Sequence, residues 1–269
     1  MGKTKVMGIL NVTPDSFSDG GRFSSVESAV AQAEKMAREG ASVIDVGGES
    51  TRPGYQRISD KEEIDRVVPV IRAIREKSDI PISIDTYKYD VAKAAIDAGA
   101  DMLNSIWGFT KDERLAELVA QTGVSVCLMD NRDEIIEDSD TKEEKKSFIS
   151  IVNNELKKSL QIAEKYGIKK GRILLDPGVG FGKTYEQNLE VIRDIGELVE
   201  MGYPVLLAVS RKSVIGLTLD LPVEEREEGT IALSVYAAMK GCAMVRVHDV
   251  EKNVRALRML EAVIGRKKC

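Results

Sequence analysis

Eight short apolar runs, each about four to seven residues long, alternate along this chain with longer stretches of helical spacing. The runs are rich in Val, Ile and Leu and begin near Val6, Ser42, Ile80, Met102, Val124, Ile173, Pro204 and Met244. Their length and composition are those of buried strands. The stretches between them repeat apolar residues at three- and four-residue intervals, as in Val26, Val30, Ala33, Met36 and Ala37, or Ile64, Val67, Val68, Ile71 and Ile74. That spacing gathers the apolar side chains on one helix face. Many of the stretches stop at a glycine, namely Gly40, Gly99, Gly123, Gly167, Gly202, Gly241 and Gly265. Glycine there suits a helix end that turns the chain into the next strand. Strands alternating with helices predict a parallel sheet covered by helices, an α/β fold. Eight such units in 269 residues match a closed (βα)8 TIM barrel, whose usual size is about 250 residues. An open, doubly wound sheet of eight strands satisfies the same alternation. No linker or low-complexity tract interrupts the pattern, so residues 1–269 are expected to form a single domain.

Composition narrows the function. Lys and Arg number 39 against 44 Asp and Glu, a net charge of −5. This argues against broad binding to nucleic acid or anionic membranes and leaves room for a local basic pocket. With 43% apolar residues the chain can build a sizeable core. No apolar run approaches the roughly 20 residues needed to span a bilayer, and the N-terminus lacks a signal-peptide pattern. The expected location is cytoplasmic. Cys127, Cys242 and Cys269 lack metal-site spacing and are expected to be reduced, inert thiols. A single histidine, His248, excludes a multi-histidine zinc site.

In a βα barrel the site lies at the C-terminal ends of the strands. Those ends carry Asn11, Asp45 with Glu49, Asp85, Asn104, Asp130, Asp176, Ser210 with Lys212, and Arg246 with His248. Any one of them could be a cap or a turn residue. Eight strands finishing on polar groups point instead to a polar ligand. Arg246 and His248 are two apart, so their side chains share a strand face. The barrel interior is the less costly face for two cations, although Arg246 pairing with a structural carboxylate is an alternative. Residues 13–23 and 47–54 combine hydroxyls, charges and glycines, a composition suited to mobile lids over an anionic substrate. Plain surface turns are the alternative; as lids they are expected to be disordered, or open, without ligand. The string PGVGFGKT from Pro177 imitates the end of a phosphate-binding P-loop. Pro177, however, replaces that motif's first glycine and offers no N–H. The charged stretch 132–146 reads as a solvated loop and first helical turn.

Taken in order, MGILNVTPDSFSDGG from Met7, GASVIDVGGESTRPG from Gly40, PISIDT from Pro81, ADMLNSIWG from Ala100, RILLDPGVGFGKT from Arg172, SRKSVIG from Ser210, EREEGT from Glu225 and VRVHDV from Val245 resemble the dihydropteroate synthases. The resemblance implies one pterin-binding barrel. It also implies a folate-biosynthesis transferase, of the kind that sulfonamides target, condensing p-aminobenzoate with hydroxymethyl-dihydropterin pyrophosphate to dihydropteroate and pyrophosphate. On this basis Asp85, Asn104, Asp176 and Lys212 are expected to hold the pterin, with Met129 against a ring face. Asn11, Arg246 and His248 fall on anion-binding positions, with Asn11 a candidate Mg²⁺ ligand. Thr51, Arg52 and Pro53 match the second loop, and Phe181 and Ser210 match positions near aminobenzoate. Asp15 and Asp19 match the first loop. A homodimer is implied, and Val254, Leu257, Met259, Leu260 and Val263 form either its surface or the inner face of the last helix.

One departure stands out: the family commonly has Met-His after the fifth strand, and here Met129 is followed by Asp130. That carboxylate could raise a neighbouring pKa or simply cap the next segment. Two rival functions fit parts of the pattern. A pterin-dependent methyltransferase would share the pterin ligands, but it has no need of the SRKS and RVHD segments. A non-catalytic pterin-binding protein would have no reason to keep every strand-end residue.

Overall fold

The computed structural model describes residues 3–13, 21–49, 57–132, 135 and 147–265. Eight strands lie in it: β1 (Lys5–Asn11), β2 (Val43–Gly47), β3 (Ile82–Asp85), β4 (Met102–Ser105), β5 (Ser125–Met129), β6 (Ile173–Asp176), β7 (Leu206–Leu207) and β8 (Met244–Val247). All named pairings are parallel, in the order β6-β5-β4-β3-β2-β1-β8-β7. A parallel bridge between Leu175 and Val205 joins the two ends. The sheet therefore closes into a barrel, and the open-sheet alternative falls away. The strands start within two residues of the apolar runs that predict them.

Ten α-helices are found among the described residues: α1 (Gly21–Glu39), α2 (Asp60–Arg75), α3 (Tyr89–Asp97), α4 (Arg114–Thr122), α5 (Phe148–Lys165), α6 (Tyr185–Arg193), α7 (Ile195–Glu200), α8 (Ser213–Leu219), α9 (Glu227–Met239) and α10 (Val250–Val263). Two more than the eight-unit pattern predicts arise because the layer after β6 breaks at Asp194 and a short helix follows β7. The seven glycines expected at helix ends all have positive φ. At Gly123 the φ of 71° closes α4 in the left-handed conformation, and its N–H donates to the Val119 carbonyl.

Alternation along the strands separates two apolar layers. Ile44, Val46, Ile82, Ile84, Leu103, Val126, Leu128, Ile173, Leu175, Val245 and Val247 face the helices and join one large core. The intervening Met7, Val43, Met102, Cys127, Leu206 and Met244 form a separate cluster, with Leu174 packed against it. This second cluster fills the barrel's floor, as side-chain layers do in a packed βα barrel. The next interior positions up the strands are Asp45, Asp85, Asn104, Asp176 and Arg246, so the polar site rests on an apolar plug.

Burial raises the thiol pKa values of Cys127, well above its ordinary value, and of Cys242, to about 12, in line with the expected inert thiols. In α10 Val254 and Leu257 are buried in the core and Leu260 packs against it, whereas Met259 and Val263 are exposed. The five-residue stripe thus divides between an inner and an outer face. Among the described residues no helix is long and apolar enough to cross a membrane.

Phe109, fully buried between β4 and α4, tests the core directly. Phe109→Ala is expected to lower unfolding free energy by about 3–5 kcal/mol, read from the urea midpoint at constant m-value.

Candidate active site

The centre of the polar layer is an ion-paired arginine. Arg246, on β8, donates from Nε to Asp45 Oδ2 at 2.5 Å and from Nη2 to Asp85 Oδ2 at 2.6 Å. Asn104 Nδ2 donates to the same Asp45 oxygen at 3.1 Å. Backbone register explains the meeting. Met7 of β1 pairs with Val43 on one side and Arg246 on the other. Asp45 lies two residues beyond Val43 on the same face. Asp85 then pairs with Gly47 and with Asn104. Arg246 was expected to face the interior, and it does. It also meets carboxylates there, as the alternative reading held, and one of them is the expected pterin ligand Asp85.

Two interior carboxylate atoms, Asp45 Oδ1 and Asp85 Oδ1, are buried without a hydrogen-bond partner among the described residues. Such atoms are costly in a dry pocket unless a ligand supplies donors. Burial raises the Asp85 pKa to about 7, against the pull of Arg246 and with Asp45 adding repulsion. Burial likewise raises Asp176, with Lys212 opposing. Burial thus opposes ionisation of both carboxylates.

Asp176 ends β6, and its Oδ1 accepts the Gly178 N–H at 2.8 Å. Met129 is its backbone partner on β5 and is buried. Lys212 donates to the Val179 carbonyl at 2.5 Å, and its ammonium sits 4.7 Å from the centre of the Phe181 ring. Burial lowers its pKa to about 8, with Asp176 as the main opposing charge. Asp176, Met129, Phe181 and Lys212 therefore surround one end of the cleft. At β7 and β8, Ser210 Oγ lies 2.9 Å from His248 Nδ1 and accepts the His248 N–H at 3.2 Å. Asp249 caps α10 through the Lys252 N–H. Asn11 ends β1 opposite Gly47. Because Gly47 has no side chain, its Cβ position stays open 3.8 Å from Asn11 Oδ1 and 3.9 Å from Asp85 Oδ2. Asp15, Asp19, Thr51, Arg52 and Pro53 lie outside the described residues, as do the central parts of both expected lids.

Three further residues have contacts that sequence alone did not reveal. Asp45 stood among the strand-end groups without a role. An acid between Ile44 and Val46 in a buried strand was the available signal. Glu49 accepts from Lys88 at 2.7 Å and Tyr87 at 2.9 Å, and Lys88 also donates to Glu63 at 2.8 Å. This cluster ties the end of β2 to the start of α3.

Among the described residues the Asp130 carboxylate is held in ion pairs and accepts no capping N–H. Its Oδ2 accepts from the buried Lys183 ammonium at 2.8 Å, and Arg132 approaches the carboxylate at 3.3 Å. Arg132 is consequently folded inward against the Phe148 ring, unlike the solvated residue expected at the head of the charged stretch. Most of that stretch lies outside the described residues. Lys183 is spent on this pair, and Thr184 opens α6 with a capping box completed by Gln187. Neither residue is available to a nucleotide, consistent with the missing P-loop glycine.

This interior of acids, amide and cations above an apolar plug defines a polar-ligand site at the mouth of a βα barrel. Residues 7–248 match the pterin binding enzyme family. A dihydropteroate synthase of Clostridium beijerinckii is 53% identical, the match covering 98% of this chain and 96% of that one. The Clostridium difficile dihydropteroate synthase solved in the presence of pteroic acid is 48% identical, with a TM-score of 0.91 over 97% of both chains. The Xanthomonas albilineans dihydropteroate synthase with 4-aminobenzoic acid is 40% identical, with a TM-score of 0.90 over 98% of this chain and 94% of that one. The chain belongs to the pterin binding enzyme family, in its dihydropteroate synthase branch.

The raised Asp85 pKa has a consequence for stability. Between the ordinary value of 3.8 and about 7 the native carboxyl retains a proton that the unfolded chain has lost. Its contribution is therefore full at low pH, falls as pH rises through about 7, and is flat above that. In ligand-free protein, urea midpoints measured from pH 5 to 8 should decline more steeply for the parent than for Asp85→Asn. Parallel curves would remove this account.

Proposed function

We infer that this protein is a dihydropteroate synthase, condensing p-aminobenzoate with hydroxymethyl-dihydropterin pyrophosphate to give dihydropteroate and pyrophosphate. The reaction breaks the bond between the pterin's methylene carbon and the pyrophosphate oxygen. The electron pair departs with pyrophosphate. The aminobenzoate nitrogen then bonds to that carbon and loses a proton, so no protein nucleophile is required. The observation that carries the reading is Asp85: one oxygen held by Arg246, the other buried and unpaired within the described site. A pterin edge offers the N–H donors that such an oxygen lacks.

In this reading Asp85 and Asp176 accept ring N–H groups. Asn104, its Nδ2 already given to Asp45, offers its carbonyl oxygen to the pterin. Lys212 donates to a ring acceptor, and Met129 packs on a ring face. Phe181 and Ser210 border the aminobenzoate, joined by Thr51, Arg52 and Pro53 from the second loop. His248 and Arg246 stand on the pyrophosphate side, with Asp15 and Asp19 from the first loop helping to order it. Charge developing on the leaving group is met by the Arg246 guanidinium and by donation from His248.

Magnesium fits the same corner. Asn11 Oδ1 and Asp85 Oδ2 both lie within 4 Å of the Cβ position that Gly47 lacks, and oxygen donors are what Mg²⁺ selects. Among the described residues no cluster of three or more His, Cys, Asp or Glu could hold a metal ion by itself. Asn11 would therefore share the ion with substrate oxygens, as is usual for Mg²⁺ on phosphates. Bound there, Mg²⁺ supplies neutralising charge to the leaving pyrophosphate.

Incubation with both substrates and Mg²⁺ should release pyrophosphate only when aminobenzoate is present. Methyl transfer from methyltetrahydrofolate, or pterin binding with no turnover, would replace this function with a rival. Arg246→Ala should slow turnover. It should also weaken pterin binding, because Asp85 and Asp45 lose their shared counter-charge. Calorimetry showing parental affinity for both pterin and pyrophosphate in the folded variant would exclude Arg246 from the site.

A homodimer is the proposed assembly. Met259, Val263 and Ile264 leave apolar surface exposed at the end of α10, which supports pairing through that helix. Sedimentation should give twice the chain mass, and Met259→Glu with Val263→Glu should shift it to the monomer.

A further inference from the structure

We propose that the buried ion pair between Asp130 and Lys183 is a clasp that positions loop 177–183, and with it Phe181, for aminobenzoate; this rests on the reading of Phe181 as a wall of the aminobenzoate pocket. The three shortest contacts of the Lys183 ammonium are to Asp130 Oδ2 at 2.8 Å, the Gly178 carbonyl at 2.9 Å and the Phe181 carbonyl at 3.1 Å, with the Asp130 carbonyl farther off at 3.5 Å. An ammonium has three N–H groups, so these contacts use its donor capacity. Two of the acceptors belong to the loop, and the third belongs to the segment after β5. The side chain has no exposure to solvent, so its charge is compensated entirely from within.

The two segments also touch along their backbones. A Cβ at Gly178 would lie 1.8 Å from the Asp130 carbonyl oxygen, and one at Gly182 would lie 2.6 Å from Arg132 Cβ. Phe181 stands between Gly180 and Gly182, which provide little stiffness of their own. Its ring position must therefore come from contacts. On the cleft side, Lys212 holds the Val179 carbonyl and lies over the Phe181 ring. On the far side, Asn188 accepts the Gly180 N–H at 2.6 Å. The Lys183 clasp closes the remaining side. Loss of it would free the ring and shift the carbonyl that anchors Lys212, while Asp85 and Asn104, on β3 and β4, keep their places.

The charges predict an asymmetry between the partners. Asp130 also faces Arg132, so removing Lys183 leaves a neutral pair. Removing Asp130 leaves two buried cations facing each other. Lys183→Met is thus the informative variant, with Lys183→Gln as its replacement should the first not fold.

Steady-state kinetics at saturating pterin pyrophosphate and Mg²⁺ should show KM for aminobenzoate raised on the order of tenfold in Lys183→Met, the scale expected of a small misplacement. Calorimetric affinity for the pterin should fall by less than the aminobenzoate KM rises, since Asp85 and Asn104 sit on other strands while only Asp176 and Lys212 touch the loop. Hydrogen exchange of amides 178–183 should accelerate in the same variant. An unchanged aminobenzoate KM, or a pterin affinity that falls in step with it, would overturn the clasp, as would unchanged exchange. If the parent releases no pyrophosphate in the presence of aminobenzoate, the functional reading fails by itself. The exchange measurement still decides whether Lys183 holds the loop.

Discussion

Arg246 sits inside the barrel with carboxylates on two sides, and the upper half of the interior is organised by that choice. Placing a guanidinium above the Met7–Val43–Met244 floor requires counter-charge within hydrogen-bonding reach. Asp45 supplies it from β2 and Asp85 from β3. Asp45 is fully buried and also takes the Asn104 amide, so one oxygen orients two side chains. Breaking a buried pair by deleting one partner costs about 3–5 kcal/mol. The triad is thus hard to vary piecemeal. With both carboxylates ionised the triad holds two negative charges against one guanidinium, an excess that burial of Asp85 opposes and a donor-rich ligand edge relieves.

The opposite side of the cleft follows a different rule. Lys212, Phe181 and Asp176 are held by the loop that begins at Pro177, and the loop is held in turn by Lys183, Asn188 and backbone contact with Asp130. One half of the site is therefore built on strands, where register places side chains. The other half is built on a glycine-rich turn, where cross-chain contacts must do so. Burial lowers the Lys183 pKa, and Asp130 opposes that drift.

Much of the fold was legible because it is repetitive. Strand runs, three- and four-residue helix spacing and terminal glycines each recur, so an error in one unit is corrected by the others. The placement of Arg246 and His248 inside the barrel followed from a two-residue interval, and the roster of strand-end polar groups followed from the barrel itself. What stayed hidden were pairings across long sequence separations. Asp45 meets Arg246 only because β1 sits between β2 and β8, and no local pattern encodes that adjacency. Lys183 looked like the end of a phosphate loop because its neighbours in sequence are glycine and threonine. Its real partner, Asp130, lies on another strand's exit. The broken helix layer after β6 was hard to see for a related reason: Gly196 beside the break at Asp194 is a weak signal on its own, and Ile195, Leu198 and Val199 continue the apolar pattern.

The unpaired oxygen of Asp85 links these observations to the energetics of an enzyme site. A carboxyl pushed up to about 7 is one that folding has placed where its charge is poorly solvated. Asparagine there would remove the burden of the charge, yet an amide presents only one acceptor atom and cannot receive two N–H donors side by side. The residue that best serves the empty barrel differs from the one that best receives the ligand. Binding resolves the conflict: two donors aimed at the carboxylate favour its ionised form and draw its pKa down again. Part of the binding energy is therefore absorbed in completing charge that folding left half-compensated. The site's stability and its affinity for a donor-rich edge are set against each other at a single side chain.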